Sequence, residues 1–206
     1  MNKLPPDQIF SAIDRTMLEN LPLWRYEGKI LFLNDPHAAK KIIPQLLHCD
    51  YLGFDTETRP AFHRGQYYDP SLVQVASEEY VVIFQLSACG GIPTLKEIFE
   101  AERVLKVCVG VADDVHHLQK MQPFAARGFV ELSAVTEELG VRDRGLRKLC
   151  ANFLGVRISK KEQTSNWAKF PLTEDQLRYA ATDAWVSRKI YEVANILRTK
   201  GVRAVD

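Results

Sequence analysis

The chain is short of most features that would mark it as something other than an ordinary folded domain, and each shortage excludes a class. It has no apolar run approaching 18 residues, so no membrane-spanning helix is expected. The opening Met1-Asn2-Lys3-Leu4-Pro5-Pro6-Asp7 lacks a basic start followed by an apolar stretch; no secretory signal is predicted, and a cytoplasmic location is the expectation. Only four cysteines occur, Cys49, Cys89, Cys108 and Cys150, and none has a partner at zinc or redox spacing. They read as free thiols in a reducing compartment. Repeats, low-complexity tracts and linkers are missing too. The net charge of +1 carries no global basic signature for nucleic acid.

What is present suits one domain with a proper core: 206 residues, 46% of them hydrophobic and 26% charged. The charge is unevenly placed. Arg142, Arg144, Arg147, Lys148, Arg157, Lys160 and Lys161 stand against a single acid, Asp143. Such a patch is either a solvated helix face or a track for a phosphate backbone.

Local signals order the elements. A helix is predicted from Asp7 to Asn20, started by Pro5-Pro6-Asp7. A strand at 29–33 precedes a helix from Pro36 to about Leu47, capped by Asn34 or Asp35. Tyr51 to Thr56 reads as a strand, and 72–76 with 80–84 as a hairpin. A helix follows Pro93, and the nearly all-apolar run Val104 to Val111 reads as a strand buried on both faces. Helices are predicted near 113–121, 132–139 and 145–154, then a long one from Thr173, where Thr173-Glu174-Asp175-Gln176 forms a capping box. This order implies an α/β fold, a central mixed sheet flanked by helices. Residues 1–28 read as a helical extension packed on the domain through Leu18, Leu21, Leu23 and Trp24, with the domain proper at 29–206. The irregular segment 58–71 is long enough to suggest a function.

Three acidic stretches carry the chemistry. Asp55 and Glu57 are two apart at the end of an apolar strand, so both leave the same face. They form either a solvent-exposed strand end or a pair held together by a cation. Asp114 follows Val107-Cys108-Val109-Gly110-Val111 near a helix start, where capping alone would explain it. His116 and His117 are adjacent on that helix and diverge by about 100°, a poor metal pair. Tyr179 and Asp183 are four apart on the last helix and share a face. A lone Tyr there is by default a core aromatic.

Taken together, Gly-Phe-Asp55-Thr-Glu57, Val-Gly-Val-Ala-Asp-Asp114 and Tyr179-Ala-Ala-Thr-Asp183-Ala resemble the three motifs of the DEDD 3′–5′ exonucleases. The run Ser165-Asn166-Trp167 to Asp183 is especially similar to the Werner-type exonuclease domain and to ribonuclease D. The resemblance covers roughly residues 28 to 198. A Tyr four before the last Asp, with Arg178 where the sister subfamily has His, places the chain in the tyrosine (DEDDy) branch.

The resemblance implies a ribonuclease-H-like fold. It also implies a metal-dependent 3′–5′ exonuclease that releases nucleoside 5′-monophosphates, with two divalent cations, Mg²⁺ or Mn²⁺. Asp55 would bridge both ions, Glu57 and Asp183 would complete one site, and Asp114 would hold the other through water. Tyr179 would orient the attacking water or take its proton; a free phenol pKa of about 10 favours orientation with metal activation of the water. The implied partner is a DNA or RNA 3′ end, single-stranded or frayed, contacted by Arg59, Phe62 and Arg64 of the 58–71 loop and by Arg147, Lys148, Lys160 and Lys161. Trp167 reads as a packing residue beneath the last helix. Ribonuclease D members usually add a C-terminal helical domain, and the chain's end at Asp206 counts against that domain and a tRNA-specific role. A catalytically weak binding module of the same fold is the alternative reading.

Overall fold

A computed structural model describes residue 6 and residues 8–63 and 65–206. Its centre is a six-stranded mixed sheet: β1 (Lys29–Leu33), β2 (Tyr51–Glu57), β3 (Leu72–Ala76), β4 (Tyr80–Gln85), β5 (Leu105–Cys108) and β6 (Phe129–Glu131). They lie in the order β1-β4-β3-β2-β5-β6. The hairpins β2–β3 and β3–β4 are antiparallel, while β1–β4, β2–β5 and β5–β6 are parallel. The helices are α1 (Arg15–Asn20), α2 (Pro36–Leu46), α3 (Gly91–Glu100), α4 (Val111–Met121), α5 (Leu132–Glu137), α6 (Leu146–Leu154) and α7 (Glu174–Thr199).

Each face of the sheet has its own core. Leu72, Ala76, Ile83 and Val107 pack with α6 and α7, whereas Phe54, Val73, Val75 and Phe84 pack with α2 and α3. Alternating strand residues therefore feed opposite cores, and β3 and β4 are apolar on both sides because both sides are covered. Among the described residues, no helix is long and apolar enough to cross a membrane.

Local chemistry sets several boundaries. Asp35 caps α2 by accepting from the Ala38 amide at 2.7 Å. The capping box of α7 is formed in both directions: Gln176 N donates to Thr173 Oγ1 and Thr173 N to Gln176 Oε1. The strand expected to reach Val111 stops at Cys108, because Gly110, at φ +79°, turns the chain directly into α4.

The N-terminal helix is shorter than its sequence implies. Among the described residues of this segment only Arg15–Asn20 is helical, capped by Asp14; of the expected start, Pro5 and Asp7 lie outside the described residues. Long-range bonds hold the preceding chain extended. Phe10 bridges Val205, and its amide and carbonyl are both taken by the Asn152 side chain. Of the expected anchors, Trp24 packs against the core while Leu23 is 58% exposed; Ile9, Ile13 and Tyr26 are buried in addition.

Candidate active site

The site grows from the way α7 lies on β2. Gly53 makes this possible, since a Cβ there would sit 1.9 Å from the Ala184 carbonyl oxygen. With no side chain between them, helix and strand touch, and Asp183, next to Ala184, comes down over Asp55. Asp55 and Glu57 follow Gly53 at intervals of two and so leave the strand on its α7 face. Carboxylate oxygens of Asp55, Glu57 and Asp183 all lie within 4.8 Å of one another. Glu57 is 8% exposed and Asp183 9%. Asp183 Oδ1 has no hydrogen-bond partner among the described residues.

Three carboxylates so placed resist ionisation together. Burial, then Asp183 and Asp114, push the Asp55 carboxyl well above its ordinary range. Burial and the neighbouring Asp55 raise Glu57 to about 10. Burial raises Asp183 to about 7 against the opposing pull of the Tyr179 hydroxyl. A cation would relieve all three, and an all-oxygen donor set suits a hard divalent ion. The unpartnered Asp183 oxygen is a free ligand atom for it.

Asp114 is not a member of this cluster. It stands in the first turn of α4, where its Oδ1 accepts from Thr56 Oγ1 at 2.6 Å. Thr56, between the two motif acids, points to the other side of β2 and ties α4 to the strand. Burial raises Asp114 to about 6, with the Thr56 bond working against the rise. Tyr179 is half-buried on α7, its ring 5.8 Å from that of the fully buried Trp167. Burial, followed by Asp183 and Glu57, lifts its phenol far above the usual value. His116 and His117 are exposed and outside the cluster.

Two supporting residues escape sequence reasoning. Thr56 is one. Glu131 is the other: a single oxygen accepts from the Gly110 and Val111 amides, fixing the start of the helix that carries Asp114. Burial pushes its carboxyl up, but hydrogen bonds from Ser133, Val111 and Gly110 hold it below the normal value. An acid at the end of a three-residue edge strand gives no local hint of this, because the amides it fixes at the start of α4 are 20 and 21 residues away.

Two cavities converge on Tyr179 and Asp183. One, of about 560 Å³, is walled by Trp24, Arg25, Lys161 and Arg178. The other, of about 410 Å³, is walled by Leu18, Arg147, Lys148 and Lys160. The N-terminal segment thus lines the approach to the carboxylates on both sides. The basic residues are not equivalent. Arg147 donates to the Ile158 carbonyl, Lys148 is bound to the buried Asp143 at 2.7 Å, and Lys161 is 3.5 Å from Asp175. Lys160 is exposed and has no ion-pair partner among the described residues. In the 58–71 loop, the Arg59 guanidinium sits 4.1 Å above the Tyr68 ring, and Phe62 is 78% exposed. Neither lines either of these two cavities. Arg64 lies outside the described residues.

Comparison with known proteins bears on the family and the fold. The 3′–5′ exonuclease family profile matches residues 31–199. The chain is 31% identical over 208 residues to the mouse (Mus musculus) bifunctional 3′–5′ exonuclease/ATP-dependent helicase WRN, covering 95% of this chain and 15% of that protein. It is 28% identical over 176 residues to the human (Homo sapiens) exonuclease mut-7 homolog, covering 71% of this chain and 20% of that protein. It therefore spans a fifth or less of the length of either relative. Among solved structures, the Aedes aegypti Nibbler EXO domain superposes with a TM-score of 0.78 at 22% identity, over 87% of this chain and 95% of that one. The shared architecture is the ribonuclease-H-like α/β fold.

Proposed function

The chain belongs to the 3′–5′ exonuclease family, and on that premise we propose that it hydrolyses phosphodiester bonds from the 3′ end of DNA or RNA with two divalent cations, Mg²⁺ or Mn²⁺, releasing nucleoside 5′-monophosphates. The observation that carries the reading is the convergence of Asp55, Glu57 and Asp183 within 4.8 Å. Buried like charges at that spacing are costly without a cation, which makes the cluster hard to explain as a purely structural feature.

Asp55, Glu57 and Asp183 would hold one cation, and Asp114, with Asp55, the second. When bound, such a pair neutralises the charge that develops on the phosphoryl oxygens, helps the 3′-oxygen leave and favours hydroxide over water. The protein's own groups position the reactants. Thr56 holds Asp114 on its side of β2. In the metal-free chain burial and the acidic neighbours raise the Tyr179 phenol, which favours the protonated hydroxyl over a base. That hydroxyl orients the attacking water instead. The two cavities give a single strand and the released nucleotide separate access to one point, and Lys160 faces the phosphates on the basic side. A single-stranded or frayed 3′ end is the substrate expected for openings walled by the N-terminal segment.

The test is digestion of 5′-labelled single-stranded DNA and of the matching RNA with Mg²⁺, with Mn²⁺ and with EDTA, beside Asp55→Ala. A metal-dependent ladder shortening from the 3′ end, absent in the variant, is expected. Equal activity in Asp55→Ala would end this reading.

A further inference from the structure

Gln74 is a side chain that the proposed chemistry leaves unused and the fold leaves unexplained. It stands at the middle of β3, paired directly with Asp55 on one side and with Ile83 on the other. Directly paired residues of neighbouring strands project to the same face. The Gln74 amide is therefore turned, like Asp55, towards the face that α7 covers. It is completely buried, and neither its Nε2 nor its Oε1 meets a hydrogen-bond partner among the described residues. Leaving a buried polar group unpaired costs about 1–3 kcal/mol. Apolar residues occupy the neighbouring positions on this face, Leu72 and Ala76 on the same strand and Ile83 opposite, so a Leu or Met here would avoid that cost.

A second buried group on the same face is also unpartnered: Asp183 Oδ1, on the helix laid across β2 and β3. A donor without an acceptor and an acceptor without a donor thus flank the same carboxylate, Asp55. Buried polar atoms in such a setting are normally completed by ordered water. We propose that Gln74 is a positioning residue for the carboxylate cluster. Its Nε2 donates through buried water to Asp55 and Asp183 and so fixes the rotamers in which their oxygens converge. The cation ligands are then held from the strand behind them, as outer hydrogen-bond partners commonly hold metal-binding carboxylates. This inference rests on the reading of the cluster as a divalent-cation site.

The probe is Mn²⁺ itself, titrated calorimetrically into the EDTA-stripped and dialysed 206-residue chain, with thermal melting of the same samples. The proteins compared are wild type, Asp55→Ala, Gln74→Met and Gln74→Leu. Wild type is expected to bind and Asp55→Ala to lose binding. Both Gln74 variants should melt, without metal, at or above the wild-type temperature, because an apolar side chain on this apolar face replaces an amide that has no direct protein partner among the described residues. They should bind Mn²⁺ about 10- to 100-fold more weakly. A merely structural glutamine gives the opposite pattern, a lowered melting temperature with unchanged Mn²⁺ affinity, and that pattern overturns the proposal. Loss of fold in both variants overturns it as well, since the amide would then serve the fold and not the ion. Absence of Mn²⁺ binding in wild type, or equal binding in Asp55→Ala, rejects the cation site itself and is recognisable before Gln74 is considered.

Discussion

The four acids of the site are each held in a state that water would not favour. Unfolded carboxylates titrate near pH 4. In the folded, metal-free chain Asp114 titrates at about 6, Asp183 at about 7 and Glu57 at about 10, burial being the first cause in each case. Between pH 4 and those values the folded state binds more protons than the unfolded state, so these acids subtract stability as the pH rises. In EDTA the wild type is expected to lose melting temperature between pH 5 and pH 8. Asp55→Asn removes one of the repelling charges, so its loss over the same interval should be smaller. Parallel melting curves for the two proteins would show that the acids do not share a field. Tyr179 belongs to the same scale. Because its phenol stays protonated, Tyr179→Phe removes an orienting hydroxyl but no base. The expected loss is about 100-fold in kcat, the size of a modest misplacement of reactants, with no change in the pH profile. A profile that loses its basic limb would make the phenol the base after all.

At the level of elements, the signals carried by neighbouring residues were legible in the sequence and those carried by distant ones were not. Thr173 and Gln176 are three apart, and their capping box forms as the spacing implies. Asp55 and Glu57 share a face because the strand alternates, which needs no knowledge of the rest of the chain. Lys106 shows the opposite case. It lies in a run that reads as apolar, yet it is fully buried, its ammonium donating to the Ala101 and Val104 carbonyls. The edge strand β6 is three residues long, too short to show any period. The Asp7–Asn20 helix shrank to six residues because Phe10 finds partners at Asn152 and Val205, far away in sequence. Gly53 is another such long-range feature, and it can be tested. Gly53→Ala places a methyl 1.9 Å from the Ala184 oxygen and 2.9 Å from the Arg188 Cβ, so α7 must lift from β2. Overpacking of this kind costs about 1–3 kcal/mol, or roughly 2–4 °C per kcal/mol in a chain of this size. Since the lift also separates Asp183 from Asp55, Mn²⁺ affinity in the folded variant should fall with the melting temperature. A lower melting temperature with intact affinity would mean that the cluster tolerates movement of the helix.

For the molecule as a whole, the question is what guides a nucleic acid to a buried acidic centre when the net charge is only +1. The N-terminal segment takes part in the answer, because it is built into the domain. Ile9 and Ile13 are buried, Trp24 stacks on Trp185 at 4.8 Å between ring centroids, and Leu18 helps wall the basic cavity. The basic residues of that cavity divide into two kinds. Lys148 is committed to the buried Asp143, whose other oxygen accepts from the Ile13 amide, so this lysine fastens the N-terminal segment to the domain. Lys160 is exposed and uncommitted. The two charge reversals should therefore fail in different ways. Lys160→Glu should melt with the wild type while weakening the binding of a single-stranded oligonucleotide, measured in Ca²⁺ to prevent cleavage. The slope of log Kd against log salt should shrink by about 0.7, the value for one phosphate contact on a single strand. Lys148→Glu sets two carboxylates against each other at a partly buried position, and should lower the melting temperature by several degrees before it affects the salt slope. An unchanged slope in Lys160→Glu would place the track of the strand on the other cavity, between Arg25, Lys161 and Arg178, where each cation already has an acid within 4 Å. A strand lying there would have to displace those acids, and its binding would then lose less affinity with salt than the number of lysines and arginines suggests.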